Sequence, residues 1–126
     1  MRKTLLVILV LPLALMVVAA CGGGGDSGGG GGDADVQAGQ KLFAKAVLGS
    51  QAGCSTCHSL DGSVVVGPSM QGVGSRLSAD EIRTSILDPD AVLAEGFTAG
   101  LMPPVWSDKL TDEQVNQLVA YLSSLK

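Results

Sequence analysis

The stretch Cys54-Ser55-Thr56-Cys57-His58 decides the fold of this 126-residue chain. It places two thiols three positions apart and an imidazole directly after the second thiol. Thiols at this spacing can form thioethers with the two vinyl groups of one haem, and the adjacent imidazole can offer a neutral ring nitrogen to the iron. We therefore predict that Cys54, Cys57 and His58 attach and ligate one covalently bound haem c.

Two other kinds of site also use a Cys-x-x-Cys pattern, the redox-active dithiol and the zinc site. A dithiol site of the thioredoxin type needs strands beside the motif, and no convincing alternating run flanks it. A zinc site needs four ligands, whereas the chain has one histidine and one further cysteine, Cys21. Cys21 belongs to a leader segment, so haem attachment is the favoured interpretation.

The N-terminal residues have the order of an export signal. Arg2 and Lys3 precede an apolar run that is too short for a comfortable membrane span. The run ends in Val18-Ala19-Ala20-Cys21, which resembles a bacterial lipobox, where cleavage precedes the cysteine and the thiol is lipidated. We predict a lipoprotein signal peptide over residues 1–20 and a lipidated Cys21 that anchors the protein on the outer face of the cytoplasmic membrane. An uncleaved signal anchor is the alternative.

A glycine-rich segment follows the signal, so that residues 21–32 comprise the lipidated cysteine and a flexible linker. Nine of the eleven residues from Gly22 to Gly32 are glycine, and they offer no side chains to bury. A flexible coil of this length spans roughly 20 Å, which would let a small domain reorient above a membrane. The remaining residues, 33–126, suit one small domain.

The charge balance limits the kinds of partner. Without Arg2 and Lys3 the chain keeps six Lys and Arg against twelve Asp and Glu, a net charge near −6. Such an acidic surface argues against binding to nucleic acid and against electrostatic adhesion to anionic lipid. It favours redox protein partners with a basic docking face, although acidic surfaces also serve solubility alone.

Hydrophobic periodicity and capping residues predict three helices, over residues 33–48, 78–87 and 111–124. Asp33 or Asp35 is expected to cap the first helix and Gly49 to end it. The stretches Ser78–Glu81 and Thr111–Gln114 have the capping-box pattern, which predicts where the other two helices begin. The expected fold is therefore all-α.

Two long loops, over residues 59–77 and 96–108, separate these helices. A further turn of helix is possible over 91–94, and Val64–Val66 is the nearest approach to a strand. Four aromatic residues are little with which to fill a core, and loops of this length are unusual in a compact domain unless function explains them. A buried haem would explain both features, because it would fill the core and the loops would form its walls.

The chain resembles a class I cytochrome c over nearly all of residues 35–125. The haem motif, Gly67-Pro68, Met102-Pro103 and a closing amphipathic helix occur in the order typical of that family. The resemblance implies a small all-α fold of about three to five helices wrapped around one covalently bound haem. It also implies that Pro68 offers its carbonyl to the ring N–H of His58.

Further roles come from the resemblance alone. It implies that Gly39 and Phe43 of the first helix cross the last helix near Leu118 and Tyr121, which would explain a glycine inside a helix.

The resemblance also places Arg76 and Trp106 where the family often contacts the haem propionates. Solvated surface for Arg76 and plain core for Trp106 remain equally acceptable interpretations.

The sixth iron ligand is a choice between two methionines, Met70 and Met102. Reach does not decide, because the residues from His58 to Met70 could extend roughly 40 Å. Pro68 argues against Met70, since a residue two positions from a contact on the histidine side is badly placed to reach the opposite face. Met102 precedes two prolines of fixed φ and is the predicted ligand, with Met70 as a filler of the haem pocket.

Axial ligation by His58 and Met102 would leave no vacant position on the iron, which favours one-electron transfer over enzymatic chemistry. The leading hypothesis is a membrane-tethered electron carrier that links a quinol-oxidising complex to a terminal oxidase or reductase. One alternative is a sensor or peroxidase in which a labile Met102 gives way to a small gas or peroxide. Another is a dedicated haem subunit of a larger complex.

Overall fold

A computed structural model describes residues 32–126. The predicted signal peptide, Cys21 and the linker up to residue 31 lie outside the described residues. The elements, in chain order, are α1 (Asp33–Phe43), β1 (Val47–Leu48), β2 (Gln51–Ala52), α2 (Cys54–Cys57), α3 (Val73–Arg76), α4 (Ala79–Leu87), α5 (Trp106–Lys109) and α6 (Asp112–Ser124).

Helices dominate the described part of the chain, so the predicted all-α class is confirmed. The only strands within residues 32–126 are β1 and β2, which pair antiparallel with Val47 opposite Ala52. Three helices have nine or more residues, namely α1, α4 and α6, and α2, α3 and α5 have four residues each. No helix in this part of the chain is both long and apolar enough to cross a membrane.

The first and last long helices cross closely at Gly39. A Cβ on this residue would overlap the carbonyl oxygen of Gln117 and lie 2.7 Å from the Cβ of Tyr121. Only glycine can occupy such a crossing, because any side chain would push the two backbones apart. The rings of Phe43 and Tyr121 pack beside it with their centroids 5.7 Å apart. The predicted crossing of these two helices is confirmed.

The hydrophobic core lies where α1, α4 and α6 meet. Its buried members are Leu42, Phe43, Leu48, Val73, Ile82, Ile86, Trp106, Val115, Leu118, Val119, Tyr121 and Leu122. Leu118 and Val115 of α6 are the most deeply buried side chains. The apolar stripe of α6 thus forms the centre of the domain, and one side of it remains available to wall a cavity.

The first helix is shorter than predicted, because it ends at Phe43 and not at Leu48. Its continuation forms the β1–β2 hairpin, which leads directly into the Cys-x-x-Cys motif. The carbonyl of Ala46 accepts hydrogen bonds from the Gly53 N–H at 2.8 Å and from the Thr56 hydroxyl at 3.2 Å. These contacts with the motif override the local helical pattern, and they were invisible in the sequence because they join residues up to ten positions apart.

The helix caps were predicted in part. Ser78 and Thr111 form complete capping boxes with Glu81 and Gln114, as the pattern indicated. The prediction for α1 was wrong, because its N-cap is Gly32 with no side-chain hydrogen bond. Asp33 and Asp35 lie instead in the first turn, where their negative charge favours the positive end of the helix dipole.

Two smaller predictions for the loops have different outcomes. Residues 91 and 92 form a bend, residues 93 and 94 are irregular, and none of the four is helical, so the possible helical turn there is not present. Val64 pairs with His58 in an isolated antiparallel bridge, which is the closest that Val64–Val66 comes to a strand.

Candidate functional site

A cavity of about 720 Å³ opens beside the core, between α2, α3, α4, α5, α6 and the two long loops. Its volume lies in the range typical of cofactor and ligand pockets. The residues that the sequence predicts for the haem site all line it: Cys54, Cys57, His58, Pro68, Met70, Arg76, Met102 and Trp106. The tertiary structure therefore brings together in one place groups that span about fifty positions of the chain.

The short helix α2 presents the two thiols of the motif. Cys54 and Cys57 are three positions apart and so lie on one face of the helix. Both are free thiols, and burial raises the pKa of the Cys54 thiol above its ordinary value. The buried Cys54 thiol is therefore less acidic than a solvent-exposed cysteine thiol.

His58 follows α2 directly and is oriented by Pro68. The His58 Nδ1 lies 2.8 Å from the carbonyl oxygen of Pro68. Because a carbonyl oxygen can only accept a hydrogen bond, the proton of the neutral ring lies on Nδ1, and Nε2 keeps its lone pair. The Pro68 contact thus selects the tautomer in which Nε2 can bind a metal.

Gly67 forms the surface on which the His58 ring lies. A Cβ on Gly67 would lie 2.5 Å from Cε1 and 2.9 Å from Nδ1 of the ring. The Gly67 N–H also donates to the Cys57 carbonyl at 2.9 Å, which ties this residue to the motif. Any larger residue would therefore displace the imidazole from its orientation.

Hydrogen bonds close the segment after His58 into a loop around Ser69. The Ser69 hydroxyl accepts from the N–H groups of Gly62 at 3.1 Å and Gln71 at 3.2 Å. The Met70 N–H donates to the Ser59 carbonyl at 2.8 Å. Ser69, the residue after Pro68, thus closes this loop. It was not identified from the sequence because its hydrogen-bond partners meet only when the loop closes.

Arg76 lines the cavity, but its side chain is exposed and engaged with this loop. Its guanidinium donates to the carbonyl of Ser69 at 3.1 Å and to the carbonyl of Gln71. These carbonyls flank Met70. The arrangement gives Arg76 a role in holding the loop, and its predicted contact with a haem propionate stays a prediction.

Trp106 is the first residue of α5 and is buried, with 4% of its surface exposed. It lines the cavity, and its Nε1 is one of two buried side-chain polar atoms within residues 32–126 that lack a hydrogen-bond partner. An indole N–H can only donate, and leaving it unpaired in the interior costs about 1–3 kcal/mol. A carboxylate of a bound cofactor would satisfy it, so this orphaned donor fits the predicted propionate contact.

Met70 and Met102 both line the cavity, and both are partly buried. Met70 belongs to the hydrogen-bonded loop that also contains Pro68. Met102 lies in the separate segment between α4 and α5, before Pro103. The assignment of Met102 as the sixth ligand therefore stays a prediction.

Apolar side chains supply most of the remaining wall. The main ones are Leu77, Ile86, Phe97, Leu118 and Leu122. Ile86 of α4 and Leu118 and Leu122 of α6 also belong to the hydrophobic core, so these side chains both pack the helices and line the cavity. In the sequence, this second role would have been indicated by an apolar helix stripe wider than packing against one neighbouring helix requires.

The residues present fit haem c. Two thiols, an imidazole with a free Nε2, a methionine sulfur and an unpaired indole N–H surround an apolar space, as a flat macrocycle with two carboxylates requires. In the described residues, no group of three or more His, Cys, Asp or Glu side chains is arranged to hold a metal ion by itself.

Comparison with known proteins agrees with this fit. The sequence profile of the family named cytochrome c matches residues 36–126, which is most of the chain. A search of curated proteins found no match. Members of the matched family bind haem c covalently and transfer electrons, and the required cysteines are Cys54 and Cys57. The chain therefore belongs to the cytochrome c family, with covalently attached haem c as its cofactor.

Proposed function

We propose that this protein is a membrane-tethered electron carrier whose haem iron is ligated by His58 and Met102. The observation that carries the proposal is the 2.8 Å contact between His58 Nδ1 and Pro68, which leaves Nε2 free to bind iron in a cavity that Met102 also lines. When bound, the haem supplies a one-electron couple between ferrous and ferric iron. Electron transfer then requires the protein to hold two ligands and to exclude water.

Each part of the site supports this requirement. Pro68 orients His58 and makes its Nε2 a better electron donor to a metal, because the hydrogen bond polarises the ring. The apolar walls around the cavity would disfavour the more highly charged ferric state of a bound haem and would so raise its reduction potential. Methionine sulfur also stabilises ferrous iron, so Met102 acts in the same direction.

The protein is proposed as a carrier and not as an enzyme. If His58 and Met102 both held the iron, no position on it would remain for oxygen, peroxide or a gas. We place the protein between a quinol-oxidising complex and a terminal oxidase or reductase, and the acidic mature surface supports partners with a basic docking face.

A redox titration followed by visible absorption tests the carrier proposal. The purified holoprotein should show one reversible one-electron couple, and carbon monoxide added to the reduced protein should leave its spectrum unchanged. Absence of a reversible couple would exclude the proposed function.

The membrane anchor is supported by the lipobox-like sequence that ends at Cys21. Cys21→Ser should move the holoprotein from the membrane fraction to the soluble periplasmic fraction, because its acyl chains would be lost. Gly22→Ser is a suitable control, since it leaves the thiol in place. Retention of Cys21→Ser in the membrane would instead indicate an uncleaved signal anchor.

One observation favours a second candidate, a haem protein with a labile Met102. The segment from Pro89 to Val105 has few hydrogen bonds, and these join residues within the segment or next to its two ends. Such a segment could release Met102 and let a small gas or peroxide reach the iron. A shifted spectrum of the reduced protein with carbon monoxide would favour this sensor or peroxidase over the carrier.

A further inference from the structure

An apolar patch lies on the surface beside the haem site. Leu60, Val64 and Val65 are 45%, 66% and 56% exposed, and they lie in one short stretch of chain with Asp61. We call these four residues the valine patch. Single exposed apolar residues are ordinary on protein surfaces, whereas a group of them that forms one patch often marks an interaction site.

The patch adjoins an open groove of about 530 Å³ between its loop and helices α1 and α6. Leu60, Asp61 and Val65 line one side of the groove, and Phe43 and Tyr121 line the other. A partner side chain could therefore enter the groove while the valines contact the surrounding surface. This combination of a pocket and an apolar rim is typical of the centre of a protein interface.

The loop that carries the patch is held by several hydrogen bonds. The N–H groups of Val66 and Gly67 donate to the Cys57 carbonyl at 3.2 and 2.9 Å, and the Ser59 hydroxyl donates to the Ser63 carbonyl. Ser63 in turn donates its N–H to the Asp61 carboxylate at 3.0 Å. The valines are thus held at the surface, so that binding a partner would require little additional ordering.

The patch is also close to the predicted iron ligand. His58 pairs with Val64 through the backbone, and the His58 side chain lines both the groove and the haem cavity. A protein on the patch would therefore lie on the His58 side of the cavity. This proximity matters because electron transfer weakens steeply with distance between redox centres.

Asp61 decides which kind of partner fits. Its carboxylate accepts hydrogen bonds from the Ser63 hydroxyl at 2.6 Å and from the Ser63 N–H, which keep the pKa of Asp61 below its ordinary value. Asp61 is therefore ionised at neutral pH. A lipid surface would have to bury this charge without a partner, and a two-fold contact centred on the valine patch would bring two Asp61 carboxylates close together.

We propose that the valine patch is the docking surface for a redox partner protein that presents an apolar face with a Lys or Arg opposite Asp61. This inference rests on the proposed electron-transfer function and adds to it the place and chemistry of docking. The apolar contact would supply most of the affinity, and the charge pair would steer the approach and set the orientation.

The test measures electron transfer from the reduced holoprotein to the oxidases of washed native membranes, followed by haem absorption. The double variant Val64→Ser with Val65→Ser should lower kcat/KM about tenfold, mainly through KM, because apolar contact area is lost. Val47→Ser is the matched control, since Val47 is 61% exposed but lies in β1, outside the patch. Equal rates for the double variant and the Val47→Ser control would overturn the proposal.

The charge is tested separately. Asp61→Asn should lower kcat/KM about threefold at low ionic strength, and the difference should vanish in high salt, where charges are screened. Asp108→Asn, an exposed aspartate of α5, is the control and should change the rate less. A rate for Asp61→Asn that is unchanged or higher at low salt would overturn the choice of a basic partner.

Two further measurements exclude the other occupants and the loss of function as explanations. In the Cys21→Ser background, binding to phosphatidylcholine vesicles or dimer formation that disappears with the double valine variant would overturn the proposal of a protein partner. All variants should keep a reversible couple. If the unmodified protein shows no couple, the proposed function fails, whereas an intact couple with rates insensitive to the patch rejects only the docking surface.

Discussion

The two sides of the haem cavity differ in how they are held. On the histidine side, the segment from His58 to Gln71 is fixed by hydrogen bonds among Pro68, Ser69, Ser59 and Arg76. On the methionine side, the segment from Pro89 to Val105 has a few local bonds, such as that from the Gly100 N–H to the Asp90 carboxylate at 2.9 Å.

This difference shows that the positions of the two predicted ligands depend on different kinds of interaction. His58 is oriented by polar contacts that exist within the protein itself. Met102 lies in a segment whose order would come mainly from apolar contact with the haem and from the fixed φ of Pro103. We therefore expect changes on the histidine side to alter the quality of ligation, and changes on the methionine side to decide whether a sixth ligand is present.

The largest effect should come from the attachment site, on which both sides depend. Cys54→Ser with Cys57→Ser should abolish covalent haem, because no thiol would remain to form a thioether. Mass spectrometry of the denatured protein would measure attachment, and circular dichroism should show loss of most helical structure, since the core is thin without the cofactor. The single variant Ser55→Ala is the control, because Ser55 is exposed and carries no thiol. Full haem attachment in the double variant would contradict the assignment of Cys54 and Cys57 as the attachment residues.

The next largest effect should come from the methionine side. Met102→Ala should abolish the weak long-wavelength charge-transfer band of ferric iron ligated by sulfur. It should also lower the reduction potential by a sizeable part of the roughly 0.8 V range that axial ligands cover. Met70→Ala is the matched control, because Met70 lines the same cavity, and it should keep the band. The opposite result would assign Met70 as the ligand.

A smaller effect is expected at Gly67 on the histidine side. Gly67→Ala would place a methyl group 2.5 Å from the Cε1 of His58, so the ring must turn away from Pro68. We expect a loss of about 1–3 kcal/mol in the free energy of unfolding. A measurable shift of the reduction potential should accompany it. Gly32→Ala, which meets no atom within 4 Å, is the control and should leave the potential unchanged. An unchanged potential in Gly67→Ala would show that the contact does not tune the ligand.

The smallest effect is expected at Ser69. Ser69→Ala would remove the acceptor of the Gly62 and Gln71 N–H groups and should lower the free energy of unfolding by about 1 kcal/mol, because water can replace part of what is lost. Denaturant unfolding measures this, with Ser75→Ala as the control, since Ser75 is exposed on α3. If Ser69→Ala weakened iron ligation by Met102 as much as ligation by His58, the two sides of the cavity would not be held independently.

The sequence predicted much of the fold because its strongest signals are local. The capping boxes at Ser78 and Thr111 are complete within four residues, and both appear as predicted. The predicted end of α1 was wrong because the conformation of the residues after Phe43 is set by hydrogen bonds with Gly53 and Thr56, which lie outside any helical repeat. Long helices were therefore predictable, and the turn that delivers the motif was not.

By itself, the sequence determined the cofactor, because Cys54, Cys57 and His58 are adjacent and their chemistry needs no distant partner. Only the tertiary structure could decide how the site is held. The contact of His58 with Pro68, the ring surface of Gly67, the loop around Ser69 and the unpaired Nε1 of Trp106 all depend on residues that meet after the chain has folded. The spacing of the attachment residues is a property of one short stretch of sequence. The orientation of the side chains in the site depends on contacts between segments far apart in the chain.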